Sequence, residues 1–276
     1  MPVVREHMDT NRRHWDEIVP IHAASDFYKV AEFKAGRTAL RSVERRELGE
    51  VRGRTLLHLQ CHFGMDTLSW AREGAIVTGV DFSEPAVETA RKLAVETGID
   101  ARFVVSNVYD LPRNLEGEFD IVFTSYGVLC WLPDVAKWAR IAASYLKPGG
   151  VFYIVEFHPI QQSLENVEDD PNVSELKLRY AYFATSEPLR FEDGATYADR
   201  SAAVQNRLTY IFPHSLGEIV SSLIDAGLQI EFLHEFPFTV QAFVPFMEAM
   251  PDGTYRLTKG DGTVPLLFSI RAKRRV

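Results

Sequence analysis

Residues 55–64 read TLLHLQCHFG, a short apolar run that ends in a polar loop with one glycine. Runs of this length, rich in β-branched and aromatic residues, are typical of strands that are covered on both faces. Strands that alternate with helices pair in parallel through right-handed crossovers. The sequence therefore predicts an α/β fold with a doubly wound, mostly parallel sheet. Four further apolar runs, separated by helical patterns, lie at residues 75–80, 101–105, 119–123 and 151–155.

The helical segments carry their own start and stop signals. Ser83 is a favourable N-cap for a helix that ends near Gly98. Residues 134–147 place their apolar side chains on one helical face. Later apolar runs at residues 228–233 and 266–271 predict two more strands, which would complete a sheet of seven.

Two regions do not follow the alternating pattern. Residues 1–50 are charged and helix-like, which predicts an N-terminal helical cover, and residues 51–276 are predicted to form the core. Within that core the alternation breaks at residues 157–212, an acidic stretch followed by aromatic-rich segments. An insertion of this length after the fifth strand usually has a function, such as covering a binding site. We expect both regions to cover a substrate.

The composition excludes several classes of protein. The chain has 276 residues, 46% hydrophobic and 25% charged, which is typical of a globular protein. A net charge of −8 repels nucleic acid, and two cysteines are too few for a disulfide framework. Neither a signal peptide nor a run of the ~18 apolar residues that a membrane span requires is found. We predict a cytoplasmic monomer or homodimer that binds no metal and no membrane.

The loop after the first strand differs from a dinucleotide site. Such a site has Gly-x-Gly-x-x-Gly, because side chains at those positions block the pyrophosphate from the backbone. Here only Gly64 is present, and Gln60 and His62 stand where small residues are needed. Asp81 ends the second strand 21 residues after Gln60, a spacing that suits a carboxylate binding both ribose hydroxyls. These features predict an adenosine-containing ligand without phosphates.

Five sequence blocks resemble, in order and spacing, the class I S-adenosylmethionine-dependent methyltransferases. The block LHLQCHFG keeps the leucines, the cysteine and the last glycine of the family's Leu-Asp-Leu-Gly-Cys-Gly-x-Gly loop, with His58, Gln60 and His62 as departures. The resemblance implies a Rossmann-like methyltransferase fold and methyl transfer from S-adenosylmethionine to a small molecule. The other blocks are VDFS at 80–83, SNV and DLP within 106–112, FDIV at 119–122 and LKPGG at 146–150.

The resemblance also implies a cofactor site at the carboxyl ends of the strands. Asp81 would bind the ribose diol and Phe82 would lie against the adenine. Asn107 and Val108 would line the amino edge of the base. The methionine part would be surrounded by Gln60, Cys61, His62, Gly64, Ser125 and Tyr126.

Transfer of an activated methyl group mainly requires alignment and exclusion of water. An acceptor hydroxyl or amine also needs a base, for which histidine is suited. His158, just past the fifth strand, and His214, beside a helix N-cap, are the catalytic candidates. Trp15 and Tyr28 are candidates for covering the substrate.

The sequence does not identify the methyl acceptor, and it leaves two alternative functions open. Residues 124–127 read TSYG, unlike the Asn-Pro-Pro-Tyr type with which the family methylates bases and amides, and this favours a small metabolite. The attacking atom is oxygen, nitrogen, sulfur or carbon. One alternative is a protein of the same fold that binds S-adenosylmethionine without transferring methyl. The other, a nucleotide-dependent oxidoreductase, is opposed by the missing glycines.

Overall fold

The computed structural model describes residues 2–275 and is built around three sheets and the helices that cover the largest of them. The helices are α1 (Pro2–Ala24), α2 (Val30–Lys34), α3 (Ser42–Leu48), α4 (Met65–Arg72), α5 (Glu84–Thr97), α6 (Val135–Ser144), α7 (Pro159–Gln162) and α8 (Leu216–Asp225). The strands are β1 (Thr55–Leu59), β2 (Ile76–Asp81), β3 (Arg102–Val105), β4 (Phe119–Ser125), β5 (Leu146–Phe157), β6 (Leu189–Glu192), β7 (Leu208–Ile211), β8 (Leu228–Phe236), β9 (Phe238–Thr239), β10 (Met247–Ala249), β11 (Tyr255–Leu257) and β12 (Leu267–Arg274).

The largest sheet has seven strands in the order β3-β2-β1-β4-β5-β12-β8. Strands β1 to β5 are parallel, and β12 runs antiparallel between β5 and β8. This confirms the predicted doubly wound, mostly parallel sheet. The order reverses between β1 and β4, so the loops after these two strands diverge and open a crevice at their carboxyl ends.

Alternating side chains on each strand pack into separate layers. Leu57 and Leu59 on β1 join Trp138 of α6 and Leu223 of α8 on one face of the sheet. On the opposite face, Leu56 packs with Trp70 of α4. Because successive side chains of a strand point to opposite faces, the apolar runs bury both sides of the sheet.

The structure differs from the prediction at three places. One is the antiparallel pair of β6 and β7 within residues 157–212, where no strand was predicted. Helix α6 ends at Ser144, not at residue 147, because Leu146 already pairs with Phe119 as the first residue of β5. Residues between β8 and β12 also form an antiparallel sheet of β9, β10 and β11 that the sequence did not predict. Strands of two or three residues are too short to show a periodicity.

The region before β1 and the segment after β5 contact each other directly. The Asn11 side chain of α1 donates to the Tyr210 carbonyl and accepts from the Tyr210 N–H, both at 2.8 Å. Glu17, also on α1, accepts backbone N–H groups of Gln205 and Asn206. Polar contacts of this kind fix α1 across the carboxyl ends of the parallel strands.

Candidate functional site

A cavity of about 650 Å³ lies at the carboxyl ends of β1, β2 and β4. Trp15 and Tyr28, the predicted covering residues, contribute to its wall. The structure therefore brings the sequence-predicted cofactor and cover residues around one space. The ten predicted cofactor residues in the wall are Gln60, Cys61, His62, Gly64, Asp81, Phe82, Asn107, Val108, Ser125 and Tyr126.

Three residues of the loop after β1 have left-handed backbone angles, and only the last of them is a glycine. Gln60 and His62 have φ values of 57° and 51°, in the left-handed region, and Gly64 follows at 78°. A non-glycine residue in this region carries about 1–3 kcal/mol of strain. The Cys61 N–H donates to the Val80 carbonyl at 2.9 Å, which anchors the loop to the end of β2. The chain thus keeps the loop conformation and adds two side chains to it.

Gly64 is required for packing as well as for its backbone angle. A Cβ at this position would lie 2.7 Å from the Phe103 ring and 2.8 Å from the Ala90 Cβ. We expect Gly64→Ala to lower the free energy of unfolding by about 2 kcal/mol in urea titrations. The matched control is Gly98→Ala, because Gly98 has φ of 65° and open space around its Cβ position. An equal loss in both variants would show that the Phe103 contact is unimportant.

Asp81 lies buried at the end of β2, beneath the cavity. Its Oδ2 accepts the His62 N–H at 2.7 Å and its Oδ1 accepts the Ser83 N–H at 2.9 Å. Burial raises the pKa of this carboxyl to about 6, although the two backbone donors favour the charged form. The carboxylate is therefore held in a fixed orientation, and its remaining lone pairs are available to a ligand hydroxyl.

The predicted adenine side of the cavity is built by the loop after β3. The Asn107 Oδ1 accepts the Tyr109 N–H at 2.9 Å and caps a 3-10 helix that begins at Val108. The Asn107 Nδ2 lies 3.8 Å from the Met8 sulfur of α1. Asn107, Val108 and Phe82 all contribute to the cavity wall.

A second group of buried polar side chains lies below the loop after β4. The Ser125 Oγ donates to Asp66 Oδ2 at 3.1 Å and lies 3.4 Å from His58 Nε2. Burial lowers the pKa of His58 to about 3 and raises that of Asp66. His58 is therefore neutral near pH 7, and its Nδ1 is engaged with the Thr67 hydroxyl at 2.8 Å.

Tyr126 connects this group to the region before β1. Its hydroxyl donates to Glu44 Oε2 at 2.9 Å, and burial raises the pKa of Glu44 to about 7. Arg41 lines the cavity beside this pair, and its charge partly opposes the rise that burial causes in the pKa of Asp66. The methionine side of the predicted site therefore contains a guanidinium and carboxylates close together.

The loop after β4 is held by one carboxylate. Glu156, buried at the end of β5, accepts the backbone N–H groups of Val128 at 2.7 Å and Leu129 at 3.1 Å. It also accepts those of Gly127 and Phe157. Burial raises the pKa of Glu156, and these four donors oppose that shift. Glu156 thus fixes the strand end that carries Ser125 and Tyr126.

Aromatic rings form the roof of the cavity. Trp15 of α1 packs edge-on against His62 and Trp131, each with ring centroids 5.3 Å apart. His22 Nδ1 lies 3.3 Å from His62 Nε2, and His22 Nε2 lies 2.7 Å from the Thr196 hydroxyl. Burial lowers the pKa of His22 to about 4 and that of His62 well below its usual value. The roof is therefore uncharged at neutral pH.

The structure does not bring the two predicted catalytic histidines to the cavity. His158 Nδ1 accepts the Ile160 N–H at 3.0 Å, and its Nε2 lies 2.9 Å from Glu235 on β8. His214 Nε2 lies 2.7 Å from the Leu132 carbonyl, where it completes a turn before α8. Because neither ring is part of the cavity wall, their prediction as bases does not agree with the geometry.

Sequence reasoning missed Arg41, Glu44, Asp66 and His22. Arg41 and Glu44 belong to a charged stretch, RSVERREL, which reads as a solvated helix face. Asp66 resembles an ordinary first-turn acid of a helix. Only the folding of the chain brings Arg41 and Asp66 into the cavity wall. It also places Glu44 and His22 in contact with the wall residues Tyr126 and His62.

Comparisons with known proteins show what the chain resembles in sequence and in fold. Residues 57–154 match the family described as methyltransferase domain. Residues 57–154 of this chain are therefore similar in sequence to a methyltransferase domain. A solved S-adenosylmethionine-dependent methyltransferase from Mesorhizobium loti is 22% identical, with a TM-score of 0.57 over 84% of this chain and 96% of that chain. One from Clostridium acetobutylicum is 16% identical, with a TM-score of 0.55 over 93% and 95%. These two neighbours share the overall fold of this chain.

A curated relative is the ubiquinone biosynthesis O-methyltransferase of Xanthomonas euvesicatoria, 36% identical over 105 residues. The match covers 38% of this chain and 44% of the relative. The chain therefore spans about half the length of the curated relatives that it matches. Among residues 2–275, no three His, Cys, Asp or Glu side chains are grouped so as to hold a metal ion. No helix of the described chain is long and apolar enough to cross a membrane.

Proposed function

We propose that this protein transfers a methyl group from S-adenosylmethionine to a small-molecule acceptor. The observation that carries the proposal is the buried Asp81 carboxylate beneath a left-handed loop in which Gln60 and His62 replace glycines. That arrangement suits a ribose and opposes a diphosphate, because the Gln60 and His62 side chains stand where a diphosphate needs glycine. The Asp66 and Asp81 carboxyl groups in the wall are compatible with a positively charged sulfonium.

The residues present fit this cofactor along the whole cavity. Asp81 would accept both ribose hydroxyls, and Asn107 and Val108 would line the adenine. Arg41 and Asp66 would pair with the carboxylate and the ammonium of the methionine part. The bound cofactor supplies a methyl group activated by the positive sulfur.

The acceptor we propose is a small molecule methylated on oxygen. The name of the Xanthomonas relative supports an oxygen acceptor. The aromatic roof supports a small, partly apolar molecule, which α1 and residues 157–212 would cover. His62 lines the cavity, but its lowered pKa makes it a weak base. Rate enhancement would therefore come mainly from alignment and exclusion of water.

The proposal extends to the setting of the reaction. With a net charge of −8, the chain is suited to a small substrate and not to nucleic acid. We place the enzyme in the cytoplasm, as a monomer or homodimer, with residues 1–50 as cover and residues 51–276 as core.

Calorimetric titration with S-adenosylhomocysteine and with NAD⁺ tests the cofactor. We expect S-adenosylhomocysteine to bind and NAD⁺ not to bind, because the Gln60 and His62 side chains stand where a diphosphate needs glycine. Release of S-adenosylhomocysteine during incubation with S-adenosylmethionine and a panel of small phenols tests the transfer. Tight NAD⁺ binding would overturn the proposal, and cofactor binding without transfer to any acceptor would favour the non-transferring alternative.

The pH dependence of cofactor binding follows from Asp81. With a pKa of about 6, the carboxyl is mostly ionised at pH 8 and mostly protonated at pH 5. A protonated carboxyl accepts fewer hydrogen bonds, so we expect S-adenosylhomocysteine affinity to fall about tenfold from pH 8 to pH 5. In Asp81→Asn this decrease should disappear. If the variant keeps the full pH dependence, another group controls binding.

A further inference from the structure

One part of the cavity wall lies beyond the strands that the proposed cofactor site uses. The proposed function places the adenine at the end of β3, the ribose at β2 and the methionine part at β1 and β4. In the sheet, β5 is the next neighbour of β4, and Phe157 at the end of β5 also lines the cavity. The wall at β5 therefore adjoins the methionine part, which carries the methyl group, and has room for an acceptor.

Two glutamines line the same cavity without a partner in the protein. Gln162 is the last residue of α7, which follows β5, and Gln241 lies in the loop between β9 and β10. Within residues 2–275, neither side-chain amide is hydrogen-bonded, and neither has a polar atom that is sealed from solvent. Each amide therefore offers an acceptor oxygen and donor hydrogens to a molecule in the cavity.

The charged side chains of the described cavity wall are already engaged. Lys29 and Arg37 both pair with Glu32. Asp252 is exposed, and its Oδ1 accepts the Thr254 N–H and hydroxyl. The remaining ones belong to the proposed cofactor site, namely Arg41, Asp66 and Asp81. A charged acceptor would thus lose its hydration in this cavity without gaining a counter-charge.

We propose that Gln162 and Gln241 form the acceptor subsite and select an uncharged aromatic molecule with a carbonyl or amide group in addition to its methylated hydroxyl. A side-chain amide pairs with such a neutral polar group but does not neutralise a carboxylate. Phe157 and Trp131, also in the wall, provide apolar surfaces for the ring of the acceptor. The inference rests on the proposed function and narrows its acceptor class.

The binding of three small phenols tests the charge preference. The probes are para-hydroxybenzamide, para-hydroxybenzoate and phenol itself, and only the benzoate is charged at pH 7. Isothermal titration calorimetry measures their Kd for the protein saturated with S-adenosylhomocysteine. We expect the amide to bind about tenfold more tightly than the benzoate, because the carboxylate finds no cation in the wall. Phenol, which lacks the additional polar group, should bind with an affinity between the two.

Two variants test the glutamines, and a third is the matched control. Gln162→Leu and Gln241→Leu retain the bulk of the side chain but remove the amide. Each should weaken the binding of para-hydroxybenzamide about fivefold and leave that of phenol and of S-adenosylhomocysteine unchanged. The control is Gln161→Leu, because Gln161 precedes Gln162 on α7 but is not part of the cavity wall. It should bind every ligand as the unaltered protein does.

The results separate this inference from the proposed function. Binding of the benzoate as tightly as the amide would overturn the inference alone. The same holds if both glutamine variants keep the full affinity for the amide, or if none of the three phenols binds to the protein saturated with S-adenosylhomocysteine. Absence of S-adenosylhomocysteine binding to the unaltered protein would overturn the proposed function as well.

Discussion

The Asp81→Ala substitution is expected to weaken binding of S-adenosylhomocysteine by about 1.5–3 kcal/mol, roughly 10- to 150-fold in Kd. Asp81 is buried, and its oxygens are oriented by the N–H groups of His62 and Ser83. Its removal takes away the charge-assisted hydrogen bonds to the ribose hydroxyls. Isothermal titration calorimetry at pH 8 measures the effect directly.

Two variants separate this effect from a change in folding. Asp81→Asn keeps the size of the side chain but not its charge, so its affinity should lie between those of the other two proteins. Asp110→Ala removes an exposed carboxylate near the same end of the sheet and should bind normally. If Asp81→Ala bound S-adenosylhomocysteine as tightly as the unaltered protein, the ribose assignment would be wrong.

The Glu156→Ala substitution is expected to cause the largest loss of stability, about 4 kcal/mol in the free energy of unfolding. Glu156 accepts four backbone N–H groups at the end of β5. Alanine leaves these donors buried without partners, at about 1–3 kcal/mol for each donor that water does not reach. Urea denaturation followed by circular dichroism measures the change.

The matched control for Glu156 is Glu118, an exposed glutamate directly before β4. Glu118 pairs with Arg274 at the surface, and Glu118→Ala should change stability by no more than about 0.5 kcal/mol. Glu156→Gln should be intermediate, because one amide oxygen can accept only part of the donors. A Glu156→Ala protein as stable as the Glu118 variant would show that the loop after β4 does not depend on this carboxylate.

Much of the fold was predictable because the core strands are continuous apolar runs. The segment at 55–59 is confirmed as β1, and Ser83 caps α5 as predicted. The predicted cofactor residues surround one cavity because the carboxyl ends of parallel strands share one edge of the sheet. The apolar pattern of the sequence and the topology of the sheet therefore both locate the site at the carboxyl ends of the strands.

The rest of the site depends on contacts between segments distant in the chain. His22 and His62 meet only because α1 lies across the strand ends, and Glu44 meets Tyr126 only through the packing of α3. The left-handed conformation of Gln60 opposes its intrinsic preference, so no local rule predicts it. His158 follows a strand end, as catalytic residues often do, but its ring turns toward Glu235 instead of the cavity.

A crystal structure of the protein with S-adenosylhomocysteine tests the central claim most directly. We predict the ribose hydroxyls within hydrogen-bond distance of the Asp81 carboxylate and the sulfur over the end of β1, beside Gln60. The aromatic roof should leave an adjacent space for the acceptor. Density for the nucleoside elsewhere, or a diphosphate ligand bound over Gln60 and His62, would contradict the account.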